Sequence, residues 1–96
     1  MGNFTDSTLK GKTALITGAG GLLGPHHGIG LSCAGAKVVL ADIDFKGLES
    51  AKNKILEFNS KADVEIVILD ITDLDAVQRF DKIYSSKNKY IDILVN

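Results

Sequence analysis

The sequence predicts an α/β fold: a parallel four-stranded sheet with helices on both faces, in three layers. Four short apolar runs alternate with three segments of helical character, giving the order β-α-β-α-β-α-β. Crossovers between consecutive strands of this kind are right-handed, which makes the strands run parallel and puts helices on both faces. The expected strand order is 3-2-1-4, with the winding direction reversing between strands 1 and 4.

Each element has a local reason. Residues 1–10 are polar and mixed and read as a flexible tail, so the folded unit is residues 11–96. Thr13 to Thr17 is the first strand, and Leu22 to Ala34 the first helix. Gly28 and Gly30 each cost that helix about 1 kcal/mol relative to alanine, which implies close packing against the sheet or a ligand. Gly35 ends it in the left-handed position, and Lys37 to Asp42 forms the second strand. Asp44 caps a second helix whose Phe45, Leu48, Ala51, Ile55 and Phe58 make one apolar face, closed by Asn59-Ser60-Lys61. Val64 to Asp70 is nearly continuously apolar, the pattern of a strand covered on both faces. Thr72, with an acid at Asp75, resembles a capping box and opens a third helix carrying Leu74, Val77, Phe80 and Tyr84 inward. Ile91 to Asn96 is the fourth strand, at an unpaired edge that invites dimerisation or aggregation.

Composition narrows the function classes. A chain of 96 residues with 45% hydrophobic and 24% charged residues is one small globular domain and too apolar to be disordered. A net charge of -1 gives no global field for nucleic acid or an anionic membrane, so neither partner is expected. No apolar run approaches the ~20 residues that span a bilayer. The start Met1-Gly2-Asn3-Phe4-Thr5-Asp6 fails as a myristoylation signal because Asp6 stands where Ser or Thr is needed. The single Cys33 cannot form an internal disulfide; it reads as a small buried side chain in a reducing, cytoplasmic setting.

The chemistry concentrates at one sheet edge. Thr17-Gly18-Ala19-Gly20-Gly21-Leu22-Leu23-Gly24 links a strand to a helix N-terminus, where outward N–H groups carry partial positive charge and glycines let a phosphate approach. Asp42 ends the second strand, close to where a dinucleotide site needs an acid for the ribose hydroxyls. With Gly18 and Asp42, Asp70 and Asn96 fall at the C-terminal ends of the strands, where ligands of doubly wound sheets bind. His26 and His27 point about 100° apart on a helix and cannot chelate one ion, so no metal site is expected. Their alternatives are solvent exposure or contact with a cofactor phosphate. Tyr84 precedes Lys87 by three residues and reads as core on its helix face, and Ser86-Lys87-Asn88-Lys89 reads as a solvated helix end.

With these positions placed, the chain resembles the N-terminal part of the short-chain dehydrogenase/reductase family, which binds NAD or NADP on a Rossmann fold. The resemblance rests on Leu9 to Gly18, Gly35 to Asp42, Asp70-Ile71-Thr72-Asp73 and Asp92-Ile93-Leu94-Val95-Asn96, in family order and spacing. It implies that Gly18, Gly21 and Gly24 line the pyrophosphate, with Leu23 packed beneath it, and that Gly20 and Leu22 also belong to the cofactor site. It also implies that Asp42 accepts from the adenosine ribose, that Ile43 belongs to the cofactor site, that Asp70 faces the adenine amino group and Ile71 the adenine ring, and that Asn96 opens an asparagine-rich motif. A carboxylate at Asp42 repels a 2′-phosphate, and no Arg or Lys stands in the glycine turn, so NAD is favoured over NADP.

Two departures qualify the resemblance. The glycine spacing is Thr-Gly-x-x-Gly-x-x-Gly, with Leu22 where the short form carries glycine, which looks like the extended subfamily acting on nucleotide sugars; Asp92 to Asn96 looks like the short form. The family's Ser, Tyr and Lys, the latter two spaced Tyr-x-x-x-Lys, lie beyond the fourth strand and therefore beyond Asn96. No catalytic residue is assigned within this chain. The implied role is the cofactor-binding portion of an oxidoreductase moving hydride between a nicotinamide and a carbonyl or secondary alcohol, with a homo-oligomer for a complete protein. The alternatives are a non-catalytic nucleotide-binding module or an extended-form enzyme.

Overall fold

The computed structural model describes residues 8–96. Most of the expected N-terminal tail, residues 1–7, lies outside them. Residues 8–11 form a turn held by the Leu9 N–H donating to the Ala34 carbonyl at 2.8 Å. Seven elements follow: β1 (Thr13–Thr17), α1 (Gly24–Cys33), β2 (Lys37–Asp42), α2 (Phe45–Phe58), β3 (Val64–Ile68), α3 (Leu74–Ser86) and β4 (Ile93–Val95). The strands form one parallel sheet in the order β3-β2-β1-β4. This is the expected Rossmann-like arrangement.

Alternation along the central strands builds a core on each face. Ile16, Val38 and Leu40 point to one side, where Leu48, Ala51 and Ile55 of α2 cover them with Ile29 and Leu31 of α1. Leu15, Val39 and Ala41 point to the other, beneath Val77, Phe80 and Tyr84 of α3. At ~25 cal/mol per Å² of apolar surface, these two clusters supply the main drive to fold.

Helix ends follow their local chemistry. Asp44 caps α2 by accepting from the Gly47 N–H, and Asp73 caps α3 by accepting from the Ala76 N–H. The cap of α3 is therefore Asp73 and not Thr72, because Asp70 engages the Thr72 hydroxyl at 2.6 Å and its N–H at 2.9 Å. Beyond α1, the Gly35 N–H donates to Ser32 and the Ala36 N–H to Leu31, with Gly35 at φ 98°; this paired closure is the Schellman motif the glycine predicts.

Several sequence expectations are corrected. The first helix starts two residues later than expected, at Gly24. Its buried stripe is Pro25, Gly28 and Ser32, so Cys33 is turned partly outward and is not buried. Gly28 is closely packed, but against α2 rather than the sheet or a ligand, since a Cβ there would overlap Ile55 Cδ1, and Gly30 is exposed with open space around it. Phe45 and Phe58 are exposed at the two ends of α2. Leu74, the first residue of α3, is 67% exposed rather than inward. β3 ends at Ile68 and is only partly buried, since it has one neighbour and stands at the sheet edge. β4 is three residues long and Leu94 is 59% exposed; Asp92 precedes it, its carboxylate accepting from the Thr13 N–H at 2.9 Å while its own N–H donates to the Thr13 carbonyl.

At the N-terminal end of the strands the Glu65 carboxylate accepts from the Tyr84 hydroxyl at 2.9 Å and pairs with the Lys37 ammonium at 3.2 Å, tying β2, β3 and α3 together. Burial pushes Glu65 upward, but the Tyr84 hydroxyl and Lys37 outweigh it and hold the carboxyl below its ordinary value. Burial and Glu65 together push the Tyr84 phenol well above its usual range. Among the described residues no helix is long and apolar enough to cross a membrane.

Two outcomes follow for stability. Gly30→Ala raises thermal stability by up to about 1 kcal/mol through helix propensity, whereas Gly24→Ala lowers it by roughly 1–3 kcal/mol, because its Cβ would overlap the Ala19 backbone. Because Glu65 is depressed in the folded chain, its contribution is present above the ordinary carboxylate range of about 4.3 and is lost as pH falls through the folded value. Tyr84→Phe therefore costs about 1 kcal/mol at neutral pH, and chemical denaturation shows the gap from wild type closing on acidification.

Candidate functional site

The glycine turn is shaped by contacts that only bare backbone permits. Gly18 leaves β1 at φ 64°, a left-handed conformation that reverses the chain. The Ala19 N–H then continues the ladder to the Ala41 carbonyl at 3.1 Å, and the Gly21 N–H closes the turn on the Gly18 carbonyl. Gly24, the first residue of α1, lies where a Cβ would come within 2.7 Å of the Ala19 Cα and carbonyl carbon. The helix start is thereby drawn up against the end of β1.

This helix start is electrostatically open. Its cap is Leu23, which offers no side-chain acceptor, and its first turn holds no acid. The N–H groups of Gly24 and His26 have no intrahelical acceptor by the geometry of any helix start, and Pro25 brings no N–H. Neither Leu22 nor Leu23 donates its N–H to an acceptor among the described residues. An anion is the natural partner for such a set.

A cavity of about 500 Å³ opens over this turn, lined by Gly18, Gly21, Leu22, Leu23, Gly24, His27, Val95 and Asn96. A second, of about 190 Å³, adjoins it at Gly18 and is lined by Asp42, Ile43, Leu69, Asp70 and Ile71. Ten of the expected site residues thus share one trough along the C-terminal sheet edge. The other, Gly20, lies behind it and donates its N–H to Asp42 Oδ2 at 2.8 Å. Asp42 Oδ1 accepts from the N–H groups of Ile43 at 2.7 Å and Asp44 at 3.2 Å. A carboxylate offers about four lone-pair positions, so three are filled and one remains open, on Oδ2.

Asp70 is fully exposed, and the Thr72 hydroxyl and N–H hold its carboxyl below the usual range. Asn96 is tied back to β1, its Oδ1 accepting from the Thr17 hydroxyl at 3.0 Å. Leu23 is 67% exposed and lines the trough, and both histidines are exposed, with His27 alone lining it. Among the described residues no cluster of three or more metal-ligating side chains occurs. Sequence reasoning missed Leu69 and Thr17; Leu69 reads as strand interior, while Thr17, quoted within the motif, has a hydroxyl whose partner lies at the far end of the chain. A further depression of about 500 Å³ follows α3 at Asp75, Gln78, Arg79 and Lys82, but it runs along one helix surface away from every strand end.

Known proteins share this arrangement. The chain is 38% identical over 87 residues to the WW domain-containing oxidoreductase of Gallus gallus, which covers 91% of this chain and 21% of that protein. It is 38% identical over 89 residues to a short chain dehydrogenase/reductase of Gibberella zeae, covering 93% and 32%. The structure superposes on a metagenomic short-chain oxidoreductase solved with NADP at a TM-score of 0.80, with 27% identity, over 92% of this chain and 39% of that one. The chain therefore spans less than two fifths of each. The family model for short chain dehydrogenase matches residues 12–96, and with the parallel order β3-β2-β1-β4 and the glycine turn at its centre the chain belongs to the short-chain dehydrogenase family.

Proposed function

We propose that this chain is the cofactor-binding portion of an NAD-dependent oxidoreductase that moves hydride between a nicotinamide and a carbonyl or secondary alcohol. The observation that carries the reading is the open acceptor position on Asp42 Oδ2, beside a helix N-terminus with unclaimed N–H groups. These residues fit a dinucleotide: the N–H groups of Leu22, Leu23 and Gly24 suit its pyrophosphate, and Asp42 suits a ribose hydroxyl as donor. Ile71 and Leu69 offer an apolar wall, beside Asp70, for an adenine. The bound nicotinamide would supply the hydride chemistry; the residues here bind and orient it.

NAD is favoured over NADP because a 2′-phosphate would bring its charge against the Asp42 carboxylate, and Asp44 follows two residues on. No Arg or Lys lines either cavity to offset this. The NADP found with one structural relative belongs to that protein. The glycine spacing keeps the extended, nucleotide-sugar form as a second reading, weighed against by Asp92 to Asn96. The single cysteine supports a reducing, cytoplasmic setting.

Calorimetry with NAD, NADP and ADP-ribose tests the assignment. Wild type binds NAD more tightly than NADP. Asp42→Ala weakens NAD and ADP-ribose by at least ten-fold, the order expected for one hydrogen bond to a charged acceptor at about 1.5–3 kcal/mol, and narrows the gap between NAD and NADP. Equal affinity for the two dinucleotides, or no loss in Asp42→Ala, would sink the cofactor assignment.

A further inference from the structure

Gly47 is the third residue of α2, where the helix would be better served by alanine. Its neighbours explain the glycine. A Cβ at Gly47 would stand 2.8 Å from the Gly20 carbonyl oxygen, 3.0 Å from the Gly20 Cα and 2.7 Å from Asp44 Oδ2. Moving Asp44 aside would take its carboxylate off the Gly47 N–H that it caps, and Gly20 presents backbone, which cannot give way. On its other side Gly20 is equally close: its own Cβ would lie 2.9 Å from Asp42 Oδ2. Two bare stretches of backbone are thus pressed together, with the Asp42 carboxylate against one of them.

We propose that Gly47 is a positioning residue for the cofactor-binding carboxylate: its bare backbone lets the glycine turn seat on the first turn of α2, which keeps the Gly20 N–H on Asp42 Oδ2. The inference rests on the reading of Asp42 given above. A methyl group at position 47 pushes Gly20 off α2 and breaks or stretches the 2.8 Å bond. Asp42 then keeps its charge but loses the donor that fixes the orientation of Oδ2. Affinity for the ribose hydroxyl falls, while repulsion of a 2′-phosphate persists. Gly47 and Asp42 therefore give different signatures: removing the carboxylate loses affinity and discrimination together, and crowding Gly47 loses affinity alone.

The test is Gly47→Ala in the Gly30→Ala background, whose added helix stability protects folding, measured with ADP-ribose, NAD and NADP and by amide hydrogen exchange of Gly20 in the ligand-free chain. The expected results are at least ten-fold weaker ADP-ribose binding with the preference for NAD retained, and at least ten-fold faster Gly20 exchange. Adding Gly47→Ala to Asp42→Ala should cost less than two-fold, because both act through one carboxylate. Binding within two-fold of the background, unchanged Gly20 exchange, or an equal loss with and without Asp42 overturns the proposal. So does a chain that no longer folds in the stabilised background, since the contact then serves the fold rather than the site. A wild-type chain that binds neither NAD nor ADP-ribose overturns this inference and the cofactor assignment together.

Discussion

The hydrogen bond from the Gly20 N–H to Asp42 Oδ2 is the constraint on which the upper edge of this molecule depends. It joins the turn leaving β1 to the end of β2, one step beyond the last ladder bond between Ala19 and Ala41. Without it the glycine turn would keep only the Ala19–Ala41 ladder bond and its contact with Gly47 to seat it on β2 and α2. With it, the helix start with its unclaimed N–H groups and the Asp42 carboxylate are tied to one another. A charge-assisted bond of this kind is worth more than an ordinary amide pair, and part of the carboxylate's bonding capacity is given over to structure as a result.

The opposite end of the sheet is held by different means. Lys37, Glu65 and Tyr84 link two strands and a helix through one carboxylate, but the ion pair is half exposed and contributes modestly. Between the two ends, the apolar faces of β1 and β2 do most of the work, being, among the described residues, the strands with neighbours on both sides. β3 and β4, at the edges, are correspondingly less buried. The candidate site thus sits at the ends of the two most buried strands.

That the residues of the candidate site gather along one sheet edge was legible in the sequence, for a physical reason. A phosphate-binding turn needs glycines at fixed points along a few consecutive residues, and a ribose-binding acid needs to end the next strand; both are local patterns. What sequence periodicity misjudged was exposure at the ends of elements. Leu74, Phe45 and Phe58 keep helical spacing yet are exposed at the ends of their helices. Cys33 sits beside the buried stripe rather than on it, and Ser32, which satisfies its hydroxyl on the Ile29 carbonyl, is buried instead. Thr72 lost the cap to Asp73 because Asp70 had already engaged it.

The sequence by itself determined the order of elements, the parallel topology and the gathering of Gly18, Asp42, Asp70 and Asn96 at one edge, because each follows from apolar runs, turn residues and the handedness of crossovers. Tertiary structure alone decided how Asp42 divides its bonds, why Gly47 and Gly28 are glycines while Gly30 need not be, and which apolar residues stay exposed. Those depend on contacts between residues distant in sequence, Gly20 with Gly47 or Gly28 with Ile55, and no spacing along one chain encodes how closely two backbones will approach.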